Sequence, residues 1–168
     1  MMSAAESQPP PQTAAKTEIG AQASFPKINI EHFRTLPGIV KLVQLAFGII
    51  CMACASPAYL QGTHWFLFVA TVSFITTLLW VFVYLLSVRE ELNLPINWVL
   101  SELMNTGVDT VLYFIACIVQ LAVWGEVSHP YRAANITAGV FGILNTVAYG
   151  LGTYFLFVQW KSSRTPTN

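Results

Sequence analysis

The sequence predicts an all-α protein, embedded in a membrane as a four-helix bundle with both termini in the cytosol. Of its 168 residues, 55% are hydrophobic and only 10% are charged, whereas a soluble domain has about 25% charged residues. Most of the charge lies near the two ends and in short connectors, which leaves four apolar runs long enough to cross a bilayer. This distribution is typical of a multi-pass membrane protein with little chain outside the bilayer.

The chain begins with a polar segment and then enters the four apolar runs. Residues 1–30 are predicted to be a disordered cytosolic tail, because they are too polar to offset the entropy of ordering them. The spans are expected at about residues 39–60, 65–88, 98–124 and 133–160, followed by a cytosolic tail at 164–168. Pro57 should kink or end the first span, and a short connector at residues 61–64 makes the second span antiparallel to it.

Orientation is predicted from the positions of lysine and arginine, which favour cytosolic segments. Four spans place the N-terminus, the second connector and the C-terminus on one side of the membrane. The opposite side has only Arg132. The cytosolic side is therefore expected to be the one that holds Lys16, Lys27, Arg34, Lys41, Arg89, Lys161 and Arg164.

The third span carries two acids, Glu102 and Asp109, within an otherwise apolar run. An ionisable group near the centre of a span costs at least about 2.5 kcal/mol. At about 100° per residue, the acids share one helix face with other polar residues, and this face must pack against other helices because lipid cannot solvate it. The sequence therefore predicts a polar stripe between helices, comprising Lys41, Gln44, Glu102, Asn105, Thr106, Asp109, Tyr113 and Gln120.

The two acids are expected at different depths. Glu102 lies one turn beyond Trp98, at a depth similar to that of Lys41, so we expect a Lys41–Glu102 ion pair. Asp109 lies about 16 Å along the helix from Trp98. It is expected to be either protonated or hydrogen-bonded to groups such as Gln44, Asn145 or Thr146, and to act either as a clamp between helices or as a proton or ion relay.

The fourth span has a stripe of small residues. Small side chains let two helix backbones approach closely, which supports helix association in lipid. Ala138 and Gly142 form a small-xxx-small pair. The small-residue packing face is predicted to contain Gly139, Gly142, Thr146 and Gly150.

Several functional classes are not supported by the sequence. The net charge is zero and no basic run is interleaved with aromatic residues, so nucleic acid is not an expected partner. The three histidines lie in different segments, the three cysteines lie within predicted spans, and no metal-site spacing is present. No nucleophile has an adjacent base and no glycine-rich phosphate loop occurs, so we expect neither an enzyme nor a bound cofactor.

Three stretches resemble a known family. They are residues 34–41 (RTLPGIVK), residues 96–107 (INWVLSELMNTG) and the run from Ala148–Tyr149 to Trp160. Together with the four short-looped spans, they make residues 31–163 similar to a MARVEL domain. The similarity is greatest to the chemokine-like-factor-like group, which is related to the MAL–plasmolipin proteins. Glu102 matches an acid of the family pattern, whereas Asp109 matches no family position.

The resemblance implies a non-enzymatic protein that organises membranes or vesicle trafficking, or that stabilises partner membrane proteins by lateral helix contacts. Its expected partners are membrane lipids, other transmembrane proteins and further copies of itself. Its expected location is the plasma membrane, or endosomal or secretory vesicles. The alternative hypothesis is an oligomeric ion or proton channel that uses Asp109 and Glu102.

Overall fold

The computed structural model describes residues 35–86 and 97–164, which contain four α-helices. Their bounds are Leu36–Ala55 for α1, Gln61–Leu85 for α2, Trp98–Gly125 for α3 and Arg132–Arg164 for α4. Each helix is long and apolar enough to cross a membrane. The predicted all-α architecture with four membrane-length helices is therefore confirmed. The tail predicted at residues 1–30 lies outside the described residues.

The first connector lies earlier than the sequence predicted. Helix α1 ends at Ala55 rather than near residue 60, and Ser56 follows it in an extended conformation. Pro57 has no backbone N–H and disfavours helix at the preceding residue, so the helix stops there. The predicted connector at residues 61–64 was wrong, because those residues form the first turn of α2. The apolar residues 58–60 had masked the break in the hydropathy pattern.

The other helix ends lie near their expected positions. Helix α3 begins at Trp98, and the side chain of Asn97 accepts a hydrogen bond from the Leu100 N–H at 3.2 Å. This contact satisfies one of the backbone donors that a helix N-terminus leaves unpaired. Helix α4 extends to Arg164, four residues beyond the predicted span, and has two basic residues in its last turn. Basic side chains at this position interact favourably with the helix dipole.

The helices pack in a ring in the order α1, α2, α3, α4, and α4 closes the ring against α1. Adjacent helices are antiparallel. The N-termini of α1 and α3 and the C-termini of α2 and α4 therefore share one end, which we call the terminal end. The connectors at residues 56–60 and 126–131 lie at the opposite end, the connector end. The most extensive contact is between α3 and α4.

The interior contains both apolar and polar layers. The apolar cluster includes Cys51 of α1, Phe66 of α2, Cys117 of α3 and Ala138 of α4. Large apolar side chains are exposed on the outer faces, among them Ile49, Phe68, Phe114 and Val147. Outward apolar side chains with polar groups inside are the arrangement that a lipid environment requires. The polar layers within this ring form the candidate site.

Candidate functional site

The predicted polar stripe lies in the interior of the ring. Seven of its eight residues are buried, and Asn105 is half-buried at the edge between α2 and α3. Six of its residues lie on α3 at helical spacings that place them on one face, and the other two, Lys41 and Gln44, lie on α1. The buried members are Lys41, Gln44, Glu102, Thr106, Asp109, Tyr113 and Gln120.

The layer nearest the terminal end is an ion pair. Lys41 Nζ lies 2.5 Å from Glu102 Oε1, and both side chains are buried. The Tyr84 hydroxyl of α2 donates a hydrogen bond to Glu102 Oε2. The Lys41–Glu102 pair expected from the sequence is thus present, with Tyr84 as an additional partner. A buried pair of this kind is stable only when both charges keep their partners.

Gln44 connects α1 to α4 one turn further into the bundle. Its Nε2 donates a hydrogen bond to the Ala148 carbonyl at 3.1 Å. A Cβ atom at Gly152 would lie only 2.8 Å from Gln44 Nε2. Glycine at this position therefore makes room for the side chain that bridges the two helices.

Asp109 lies in the next layer and faces α2. Its Oδ1 accepts a hydrogen bond from Ser73 Oγ at 2.9 Å. Its Oδ2 accepts from Asn105 Nδ2 at 3.1 Å and from Thr76 Oγ1 at 3.2 Å, and the single Thr76 proton is shared with the Ser73 carbonyl at 3.1 Å. Side chains of α2 and α3 thus converge on one carboxyl group, which accepts their hydrogen bonds. The layer clamps α3 to α2.

The predicted partners of Asp109 were wrong. Gln44 bonds to α4 instead, and the Thr146 hydroxyl donates to the Gly142 carbonyl of its own helix at 2.9 Å. Asn145 is buried, but it is not among the three side chains that bond to Asp109 within the described residues. The sequence placed Asp109 on the correct face of α3, but a helical wheel does not specify which neighbouring helix that face meets.

A pair of stacked tyrosines occupies the middle of the bundle. The rings of Tyr113 and Tyr149 lie 5.4 Å apart at an interplanar angle of 25°. The Tyr149 hydroxyl donates to the Ser73 carbonyl at 3.1 Å, so the 2.8 Å contact with Thr77 Oγ1 has Thr77 as its donor. Ser73 therefore links the tyrosine layer to Asp109.

The connector end has its own polar layer. Gln120 Nε2 donates to Asn135 Oδ1 at 2.9 Å, and Trp124 Nε1 donates to Thr63 Oγ1 at 2.7 Å. Arg132 Nη2 donates to the Gly125 carbonyl at 2.7 Å, which satisfies a backbone acceptor at the C-terminus of α3. These contacts join α2, α3 and α4. Thr63 is a bonding residue that the sequence had placed in a connector.

The predicted small-residue face of α4 divides into two parts. Gly139 and Gly142 are buried, and a Cβ atom at Gly139 would lie 2.5 Å from Leu121 Cδ2. Thr146 and Gly150 are half-buried, and the nearest atom to a Cβ at Gly150 is Thr110 Cγ2 at 4.0 Å. Close approach of helices thus requires glycine at 139 and 142. The clearance at Gly150 accommodates a larger residue.

The chemistry of these layers is that of interhelical hydrogen bonding. Most of their donors meet acceptors within the same protein at distances typical of hydrogen bonds. Residues 35–86 and 97–164 contain no group of three His, Cys, Asp or Glu side chains arranged to hold a metal ion. The layers hold four helices in register, while the outer helix faces present apolar side chains to the surroundings.

Comparison with known proteins identifies the family. Residues 32–155 match the MARVEL family model, described as a membrane-associating domain. Mouse plasmolipin is 29% identical over 150 residues, covering 85% of this chain and 81% of plasmolipin. MARVEL domain-containing protein 1 of Xenopus laevis is 30% identical over 138 residues, covering 77% of this chain and 78% of that protein. Rabbit proteolipid protein 2 is 27% identical over 137 residues, covering 80% of this chain and 83% of that protein.

No solved structure matches the chain. The family match covers more than half of the sequence, and the relatives are aligned over most of their own length. The four membrane-length helices agree with that match. The chain therefore belongs to the MARVEL family of multi-pass membrane proteins.

Proposed function

We propose that this protein is a non-enzymatic membrane organiser that acts in vesicle trafficking or stabilises partner membrane proteins through lateral helix contacts. The observation that supports this most directly is that apolar helix faces, rather than connectors, make up most of the surface in the described residues. The connectors at residues 56–60 and 126–131 are short, whereas all four helices have exposed large apolar side chains. Lateral helix faces are thus the largest recognition surfaces in the described residues. Lipids, other transmembrane proteins and further copies of the chain are the partners that such faces contact.

We further propose that both termini lie in the cytosol and that the protein resides in the plasma membrane or in endosomal or secretory vesicles. The terminal end of the bundle is the end to which the sequence assigns most lysines and arginines, and the connector end has only Arg132. Cytosolic segments of membrane proteins are enriched in these residues. The ion pair of the terminal layer then lies toward the cytosolic leaflet.

Proximity labelling in intact cells tests the proposed function. A labelling enzyme fused to the full chain should enrich a restricted set of membrane proteins, which mass spectrometry identifies. Loss of the chain should then lower the surface abundance of at least one enriched protein, and re-expression should restore it. A label distribution identical to that of an unrelated four-span protein, with no change in surface abundance, would contradict the proposal.

The channel hypothesis remains a second proposal because both acids lie in the bundle interior on one helix face. Proteoliposomes that contain the purified protein distinguish it from the organiser. An acid-sensitive proton or cation flux that Asp109→Asn abolishes would support the channel. A flux equal to that of empty liposomes at every pH would contradict the channel hypothesis.

A further inference from the structure

A lateral groove between α2 and α3 contains polar side chains on an outer surface that is otherwise mainly apolar. It opens outward near the terminal end and encloses about 320 Å³. Two tryptophans, Trp80 and Trp98, contribute to its walls. The residues that line it are Thr76, Leu79, Trp80, Val83, Trp98, Ser101 and Asn105.

The floor of the groove leads directly to Asp109. Thr76 and Asn105 line the groove, and both donate hydrogen bonds to Asp109 Oδ2. Asp109 itself is only 3% exposed and lies immediately behind them. The N–H of Asn105 is bound to a carboxyl group, which increases the partial negative charge on its own Oδ1. In the described residues, neither Asn105 Oδ1 nor the Ser101 hydroxyl has a hydrogen-bond partner.

Within the described residues, the two buried acids differ in their partners, because Glu102 has a cation beside it and Asp109 does not. Lys41 is bound to Glu102 at 2.5 Å, and this is the single ion pair within residues 35–86 and 97–164. Asp109 is met by three neutral donors and by no cation at ion-pair distance in that part of the chain. Acids within a membrane usually pair with other polar or charged groups. The groove therefore presents acceptors that a positively charged donor complements.

We propose that the groove between α2 and α3 docks the transmembrane helix of a partner protein that carries a lysine or arginine at the depth of Asn105. The basic group binds Asn105 Oδ1 and is neutralised by the Asp109 carboxylate directly behind it. Trp80 and Trp98 pack against the apolar side chains that flank the basic residue. This proposal rests on the proposed function, since it assumes lateral recognition, and it adds the face and the chemistry of the partner.

Two other occupants fit the groove less well. A second copy of this chain offers no suitable cation at the depth of Asn105 in the described spans, because Lys41 is buried against Glu102 and the basic residues of α4 lie at its two ends. A lipid keeps its charged amine at the membrane surface, whereas Asn105 lies about 10 Å along α3 from Trp98. Acyl chains offer no hydrogen-bond donor at that depth. A side chain on a neighbouring helix does offer one.

The test uses a synthetic leucine-rich transmembrane peptide as the probe, with one lysine placed at the depth of Asn105. The full-length protein and the peptide are labelled for fluorescence energy transfer and reconstituted at low peptide density in phosphatidylcholine vesicles. Matched peptides have leucine or glutamate at the same position. The lysine peptide should associate about tenfold more tightly than the leucine peptide, which is the scale of one polar interhelical contact. The glutamate peptide should not bind above the leucine background.

Variants of the protein locate the binding site. Asp109→Asn and Asn105→Leu should each reduce binding of the lysine peptide to the leucine background. Met104→Leu should leave binding unchanged, because Met104 lies on the same helix but lines the opposite groove, between α3 and α4. Circular dichroism of each reconstituted variant shows whether the helices are retained. Should Asp109→Asn lose helicity, the variant Asn105→Leu, at the half-buried rim of the groove, decides the result.

Several outcomes would overturn the proposal. They are equal binding of the lysine and leucine peptides, binding that persists in both groove variants, and energy transfer between copies of the protein that Asn105→Leu abolishes. The last would assign the groove to self-association. None of these outcomes removes the proposed function if loss of the chain still changes the surface abundance of a labelled partner, because recognition would then use another lateral face.

Discussion

At the scale of single residues, the bundle depends on buried charges and donors that are satisfied by partners inside the protein. Lys41 and Glu102 are the clearest case, because both are buried and lie 2.5 Å apart. Removal of one charge leaves the other without compensation in an apolar interior. Removal of one charge therefore lowers the free energy of unfolding more than removal of both.

The first prediction concerns this ion pair. Lys41→Gln and Glu102→Gln should each lower the free energy of unfolding by about 3–5 kcal/mol. The double variant should lose less than the sum of the two single losses, since neither charge is then unpaired. Unfolding of the purified protein by SDS in detergent micelles measures all four free energies. Strict additivity would show that the two side chains do not interact.

The second prediction concerns the Trp124–Thr63 hydrogen bond, which measures 2.7 Å and joins α3 to α2. Thr63→Val keeps the side-chain volume but leaves the buried indole N–H unpaired, at a cost of about 1–3 kcal/mol. Thr137→Val is the matched control, because the Thr137 hydroxyl is exposed and bonds within its own helix. The same SDS titration should show almost no change for the control. If Thr63→Val lowered the free energy of unfolding no more than Thr137→Val does, the indole N–H would have found another acceptor.

The sequence was informative about these residues to different degrees. Periodicity predicted the inward face of α3, and the similar depth of Lys41 and Glu102 predicted their contact. It did not predict that Ser73 and Thr76 hold Asp109, because the order of helices around a ring depends on packing between distant segments. Thr63 was missed for another reason. Its polar neighbours at residues 61–64 have the composition of a connector but form a helix N-terminus.

At the scale of the helices, glycine has a different effect at each position of the α3–α4 contact. A methyl group added at Gly139 would lie 2.5 Å from Leu121 Cδ2, whereas one added at Gly107 would have only Thr153 Cγ2 within 4 Å, at 3.9 Å. A methyl group therefore has no room at the first position and ordinary contact at the second. The same substitution should therefore destabilise the bundle at Gly139 but not at Gly107.

The third prediction follows from this contrast. Gly139→Ala should destabilise the bundle by about 1–3 kcal/mol, because it forces the two helices or Leu121 to move. Gly107→Ala should be neutral or stabilise by up to about 1 kcal/mol, since alanine favours helix more than glycine. Thermal unfolding in detergent, followed by circular dichroism, gives the sign of each change. Stabilisation by Gly139→Ala would mean that Leu121 moves aside without cost.

The helix bounds show which sequence signals were strong. The predicted start of the third span at residue 98 coincides with the first residue of α3. Pro57 gave a correct stop signal, but the apolar residues after it extended the predicted span past the true end of α1. Hydropathy measures the length of an apolar run, and it does not separate a helix from an apolar connector. A proline within such a run is therefore the better guide to the boundary.

At the scale of the whole molecule, antiparallel packing puts the start of α1 and the end of α4 at the same end of the ring. The fourth prediction is that this end faces the cytosol. In intact cells, Ser128→Cys should react with a membrane-impermeant maleimide, and Ser162→Cys should react only after permeabilisation. Ser128 lies in the connector at residues 126–131, and Ser162 is exposed near the end of α4. The reverse pattern of labelling would invert the proposed orientation.

The four helices also differ in length, from 20 residues in α1 to 33 residues in α4. At about 1.5 Å per residue these lengths correspond to about 30 Å and about 50 Å. Helix α1 therefore matches a hydrocarbon core of about 30 Å only when it stands upright, while α4 tilts or projects beyond the core. Arg164 lies 4.5 Å from the Trp160 ring near the end of that projection. Since α1 is only as long as the hydrocarbon core is thick, a thicker bilayer must thin around the protein. The energetic cost of this hydrophobic mismatch favours membranes whose thickness matches the shortest helix.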